Sequence, residues 1–152
     1  MSLPGIIIRP AIPEDCAELL QLIAAHARYE RSEAILGADT LHALLRADAS
    51  PVHLLVAQRG DALVGYAALT FDFSLWRGRF FAHLDCLYIA ATMRGQSLGK
   101  ALLDAARELA RCSGADRLEW QTPDWNRRAI AFYEREGAIG QAKKRFALSL
   151  AE

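Results

Sequence analysis

The run Arg94-Gly95-Gln96-Ser97-Leu98-Gly99-Lys100 has the residue types of an anion cradle. Glycine at 95 and 99 lets the backbone turn through positive φ and lets a ligand approach closely. A helix starting here points the free N–H groups of its first turn out of the loop, and its dipole favours negative charge at that end. Arg94 and Lys100 add positive charge on either side. The chemistry on offer is phosphate or pyrophosphate binding, although an isolated run of this kind also reads as a plain turn into a helix. It is not a Walker loop, because no Gly-Lys-Ser/Thr ending is present. Nor is it a Rossmann fingerprint, since the strand leading in belongs to an antiparallel series.

Other residues could move protons. The Tyr133 hydroxyl is a donor at neutral pH without any pKa shift, or it packs in the core beside Phe132. Asp85 is a carboxylate in a strand-like stretch, with His83 two residues away and on the same face if no bulge intervenes. A histidine titrates in the useful range, but a lone strand histidine is more often structural. Asn126 suits a helix N-cap. The cysteines 16, 86 and 112 show neither a CxxC pair nor a metal-ligand spacing. They read as structural thiols of a reducing compartment, Cys16 and Cys112 on apolar helix faces. Cys86 has no obvious paired base, and Lys143-Lys144-Arg145 reads as a solvated strand end.

Those residues need a scaffold, and 152 of them suffice for one domain, 1–152, with a sizeable core. Acidic and basic residues balance at 18 each, so no global field draws the chain to nucleic acid or a membrane surface. No apolar run reaches the ~18 residues of a bilayer span. The beginning of the chain lacks the pattern of an export signal, so a cytoplasmic location is expected.

Ile6 to Arg9 reads as a first strand. Cys16, Leu19, Leu20, Ile23, Ala24 and Ala27 fall at helical offsets, and Asp39 caps a second helix through Leu41, Leu44 and Leu45. Val52–Ala57 and Leu63–Phe73 form a hairpin about Arg59-Gly60-Asp61, and Phe80–Ile89 is a further strand. A helix carrying Leu98, Leu102, Ala105, Leu109 and Cys112 comes next, ending at Ser113-Gly114. Arg117–Gln121 alternates as a strand, Asn126 starts a helix stopped by Gly137, and Arg145–Leu150 alternates again. The expected fold is a mixed α/β sheet in the order β-α-α-β-β-β-α-β-α-β, to which a short strand near Ile139 can be added.

This order, with Trp125-Asn126 downstream and Phe132-Tyr133-Glu134-Arg135-Glu136-Gly137-Ala138 after it, resembles the GNAT superfamily of N-acetyltransferases over nearly the whole chain. Within it the chain most resembles the diamine (spermidine/spermine) and thialysine acetyltransferases. That likeness rests on Arg9-Pro10-Ala11, Asp15-Cys16, Arg28-Tyr29-Glu30, Trp76 with Gly78, and Leu84-Asp85. Arg94-Gly95, Trp125-Asn126, Ala129-Ile130-Ala131-Phe132-Tyr133 and Gly137-Ala138 continue it. Two departures stand out. Ser97 occupies the place of the pattern's first glycine, where its N–H still serves if φ stays ordinary. Ser74 and Cys86 hold positions flanked by acidic residues in the polyamine enzymes.

The resemblance implies a single GNAT-type domain with acetyl-CoA as co-substrate and no metal. It implies direct acetyl transfer to a primary amine of a small molecule, polyamine-like or amino-acid-like, with the loss of two carboxylates favouring the smaller acceptors. Tyr133 matches the general acid. Asp85 stands where the family has a glutamate, as a base working through water or as a group that orients the ammonium ion. Tyr29, Glu30, Trp76 and Asp85 would bind the acceptor, since an aromatic face beside a carboxylate suits an ammonium ion. Gly95, Gln96, Ser97, Leu98, Gly99 and Lys100 with Arg94 would hold the cofactor, together with Asn126 and Tyr133. Leu87, Tyr88 and Ile89 would also contact it, through an N–H that a bulge frees for the oxyanion. A homodimer through the C-terminal segment is a further expectation. The alternatives are acetylation of a protein N-terminus or lysine, and a non-catalytic acyl-CoA sensor.

Overall fold

The β-branched run Ile6-Ile7-Ile8 becomes the edge strand of a five-stranded sheet. A computed structural model describes residues 3–151, and the chain divides into a unit ending at Gln121 and a second beginning at Thr122. The first unit contains β1 (Ile6–Pro10), α1 (Cys16–Tyr29), α2 (Ala38–Arg46), β2 (His53–Arg59), β3 (Ala62–Ser74) and β4 (Arg79–Ile89). It closes with α3 (Leu98–Cys112) and β5 (Leu118–Glu119). The second contains α4 (Arg127–Arg135).

The strands lie in the order β1-β2-β3-β4-β5, antiparallel as far as β4, while β5 pairs parallel to β4. Only a crossover can join parallel neighbours, and α3 is that crossover. Leu19, Leu22 and Leu41 of α1 and α2 pack with Val56, Tyr66 and Tyr88 on one face of the sheet. Leu98 of α3 packs with Ala57, Val64 and Met93 on the opposite face. Because neighbouring residues of a strand point to opposite faces, Val56 and Ala57 are both fully buried, as are Tyr66 and Ala67.

Strand β4 departs from regular pairing along both of its edges. Ala68 opposes Cys86 and Leu69 opposes Leu84, so Asp85 is a bulged residue with no partner across the ladder. On its other side β4 pairs with β5 only at Ala82 and His83. Beyond His83, toward Ile89, β5 no longer covers that edge.

Several expectations change. The strand expected over 117–121 is reduced to Leu118–Glu119. The final strand over 145–150 and the short one near Ile139 do not form: residues 138–151 carry no regular element. A strand exists through hydrogen bonds to a neighbour, and none of the described residues 138–151 is paired in a ladder. Alternation of Phe146, Leu148 and Leu150 is therefore not enough. In α1 the deepest residues are Leu19 and Leu22, with His26 next on that stripe. Cys112 ends α3 exposed rather than apolar-packed, with its Sγ 3.2 Å from Glu108.

Candidate active site

The loop between β4 and α3 is built by two left-handed residues. Gly95 has φ +79° and Ser97, the N-cap of α3, has φ +61°. The bend thus comes from 95 and 97, whereas Gly99 is already the second residue of the helix. Gly99 therefore does not supply the bend expected of it, and the condition of an ordinary φ at Ser97 is not met. A glycine is the natural occupant of such a position, and serine there carries strain. No side chain caps this helix start, and the first intrahelical bond runs from the Ala101 N–H to the Ser97 carbonyl. The N–H groups of Leu98 and Gly99 precede it and have no acceptor within the helix. That donor set, at the head of a 15-residue helix, fits a pyrophosphate.

The flanking cations are engaged in different ways. Lys100 Nζ lies 3.1 Å from Asp104 on the exposed face of α3. Arg94 turns back toward the body of the unit: its Nε donates to the Ile89 carbonyl at 3.1 Å. Its guanidinium sits over the Tyr29 ring at 4.6 Å and the Tyr88 ring at 5.4 Å.

Tyr29 and Tyr88 lead into a second group of residues between α1 and the sheet. His26 stacks on Tyr88 with ring centroids 5.0 Å apart, and its Nδ1 lies 2.7 Å from the Tyr66 hydroxyl. Its Nε2 lies 3.7 Å from Glu30, one turn further along the chain. The Cys86 thiol points at Asp85 Oδ2, 3.7 Å away. His83 Nε2 lies 3.8 Å from Asp85 Oδ1, so the pair stays together despite the bulge.

Burial decides the charge states here. It holds the His26 pKa below its usual value, with Arg94 adding to the effect and Asp85 opposing it. Burial likewise raises the Glu30 carboxyl and the Tyr66 phenol. It pushes the Cys86 thiol up to about 12, which leaves it a poor nucleophile at neutral pH. Glu30 and Asp85 each add to the raised values of Tyr66 and Cys86, so both carboxylates lie near that buried pair.

Of the acceptor residues expected from sequence, Tyr29, Glu30 and Asp85 are thus gathered. Trp76 is not. It stands fully exposed in the β3–β4 turn, past the last ladder pair Ser74–Arg79, which is itself five steps or roughly 17 Å from the bulge. Leu87 and Ile89 face Ala67 and Gly65 across the ladder, and Tyr88 faces Tyr66. In the second unit, Asn126 is buried and caps α4 by accepting from the Ala129 N–H at 3.3 Å. Tyr133 lies on α4 with its ring 5.3 Å from that of Phe132, and Gly137 ends the helix at φ +89°.

Sequence reading missed His26 and Tyr66. The available signal was positional: Leu19, Leu22, His26 and Glu30 step along one helical face, so His26 is a polar residue on a buried stripe. Tyr66 lies in a strand buried on both faces, where a hydroxyl needs a partner. Among the described residues no three His, Cys, Asp or Glu side chains gather as metal ligands would, and no helix is long and apolar enough to cross a membrane.

Residues 16–138 match the family model described as "Acetyltransferase (GNAT) family". Thialysine N-epsilon-acetyltransferase from Bos taurus is 31% identical over 143 residues, covering 88% of this chain and 84% of that protein. Aminoalkylphosphonate N-acetyltransferase from Salmonella typhimurium is 37% identical over 86 residues, 57% of this chain and 56% of that one. Among solved structures, an aminoglycoside acetyltransferase from an uncultured soil metagenomic sample superposes with TM-score 0.81 over 97% of both chains, at 19% identity.

Proposed function

This chain belongs to the GNAT acetyltransferase family and is an acetyl-CoA-dependent N-acetyltransferase, and we propose that its acceptor is the primary amine of a small, amino-acid-like or polyamine-like molecule. The acceptor class is supported by Glu30, which follows Tyr29 at the end of α1 where that ring meets Tyr88, and by Asp85, the bulged residue of β4. Two carboxylates attract an ammonium ion, and the aromatic walls suit its alkyl stem. The two curated relatives are named for acetylating thialysine and aminoalkylphosphonates, both small amines.

The protein's tasks follow from the chemistry. An alkylamine is almost wholly protonated at neutral pH, so Asp85 takes its proton, directly or through water. An N–H of the Leu87–Ile89 stretch stabilises the developing oxyanion, which the uncovered edge of β4 and its bulge favour. Tyr133 donates a proton to the departing thiolate. The N–H groups opening α3 hold the cofactor's pyrophosphate, with Asn126 contributing. Cys86 forms no acyl-enzyme, because its thiol stays protonated. A homodimer belongs to the same reading, and sedimentation of the purified protein tests it.

Thiol release from acetyl-CoA, followed with a panel of diamines, amino acids and aminoalkylphosphonates, tests the acceptor class. Turnover on small primary amines supports it. Turnover confined to a peptide N-terminus or peptidyl lysine would replace it with protein acetylation, and tight CoA binding without any turnover would mark a sensor.

A further inference from the structure

We infer that Tyr29 is a positioning residue for the coenzyme loop: with Tyr88 it forms a ring-lined seat that holds Arg94 and so aims the helix start that follows. The inference rests on the reading of that loop as the acetyl-CoA site and is independent of which amine is acetylated. It gives Tyr29, expected from sequence at the acceptor, a place on the donor side.

The seat is built from the ends of two elements. Helix α1 closes in a Schellman motif: the Ser32 N–H donates to the Ala27 carbonyl at 2.8 Å and the Arg31 N–H to the Arg28 carbonyl at 3.0 Å. Arg31 takes the left-handed conformation this closure needs, at φ +60°. The backbone of Tyr29, the last residue of α1, is thereby fixed. Its ring meets that of Tyr88 with centroids 6.5 Å apart and planes tilted by 55°. Tyr88 is buried and also stacks on His26, so it cannot yield.

Arg94 occupies this seat. Its guanidinium lies 4.6 Å from the Tyr29 ring centre and 5.4 Å from that of Tyr88, and its Nε donates to the Ile89 carbonyl at the end of β4. Three contacts on one planar group fix its position. Arg94 is also the last extended residue before the bend, and the left-handed Gly95 and Ser97 follow it. A strained residue such as Ser97 persists only where its surroundings over-determine it. Anchoring the chain at Arg94 fixes where the bend begins and keeps the Leu98 and Gly99 N–H groups in place. A loop free to unwind at Arg94 would relieve Ser97 and scatter those donors, and CoA binding would have to restore their order.

A double-mutant cycle on the full chain, read by titration calorimetry with CoA, tests this. Tyr29→Leu removes the ring face and should weaken CoA binding about fivefold. Tyr29→Phe keeps the face and should bind CoA as the parent does. In an Arg94→Ala background no guanidinium remains to be seated, and Tyr29→Leu should then change the affinity less than about twofold. Should Tyr29→Leu fail to fold, replacement of Tyr29 by 3,4,5-trifluorophenylalanine takes its place, since it keeps the shape and strips the ring face of negative charge. Equal losses in the two backgrounds would show Tyr29 acting without Arg94 and overturn the inference. So would a loss with Tyr29→Phe as large as that with Tyr29→Leu. Because CoA binding is the readout, failure of the amine panel overturns the acceptor class alone, whereas a parent protein that binds no CoA overturns the coenzyme reading and the inference with it.

Discussion

The Arg94 guanidinium lies over the Tyr29 ring, 4.6 Å from its centroid, and so ties the loop ahead of α3 to the last residue of α1. With the Nε bond to the Ile89 carbonyl, the contact makes Arg94 an anchor of the loop as well as a charge near it. Lysine keeps the charge but lacks the plane and the Nε donor. Arg94→Lys should therefore weaken CoA binding about tenfold, a loss of ~1.4 kcal/mol. Titration calorimetry checks this, and unchanged affinity would reduce Arg94 to a generic cation.

Ser97 holds φ +61° at the start of α3 without capping it. Relieving a left-handed non-glycine residue is worth roughly 1 kcal/mol, part of it offset by the freer unfolded chain of a glycine. Ser97→Gly should raise stability by about 0.5–1 kcal/mol in urea denaturation, with CoA affinity intact because the donors are backbone groups. A loss of affinity would show that the hydroxyl itself binds the cofactor.

Tyr133→Phe removes one proton donor and keeps the ring. The maximal rate should fall by roughly 100-fold while the acetyl-CoA dissociation constant stays close to the parent's, since only a transition-state interaction is lost. Rapid-quench turnover against equilibrium binding separates the two. A full-speed variant would end the acid assignment.

Acid stability should report on Asp15. Its carboxylate receives two hydrogen bonds from Arg9, at 2.7 and 2.8 Å, and one from the Ile12 N–H at 2.8 Å. The Arg9 bonds, with smaller help from Ile12, hold its pKa below 3.8 against the opposing effect of burial. The pair's contribution is therefore full above pH 3.8 and lost as pH falls through the lower folded value. Asp15→Asn should cost about 2 kcal/mol near neutrality and flatten that acid limb. His26 works in a higher window: its neutral form is favoured on folding, so stability falls as pH drops below 6.5 through its depressed value. His26→Leu should abolish that second limb, which urea midpoints measured from about pH 4 to 8 would reveal.

The order of elements through β4 and α3 was legible because apolar periodicity and turn residues report burial directly, as in the Val52–Ala57 and Leu63–Phe73 hairpin. The phosphate-type loop was legible for the same reason: glycine beside an amphipathic helix is a local signal. Three things were not. Phe146, Leu148 and Leu150 alternate, but pairing is a property of two segments and no single segment encodes its partner. The bulge at Asp85 depends on the register between β3 and β4, which neither strand records alone. Non-locality also explains why His26 and Tyr66 went unseen: their meeting joins residues 40 positions apart.

Of the eleven residues in β4, the ladder with β3 uses every one except Asp85. The alternation that buries Ala82 and Leu84 on one side and Tyr88 on the other runs past position 85 without needing it. The carboxylate proposed to meet the amine is thus carried by the one residue the architecture can spare. Position 85 is free to change length or charge without disturbing the core, which makes acceptor preference in this scaffold an evolvable trait, separable from folding.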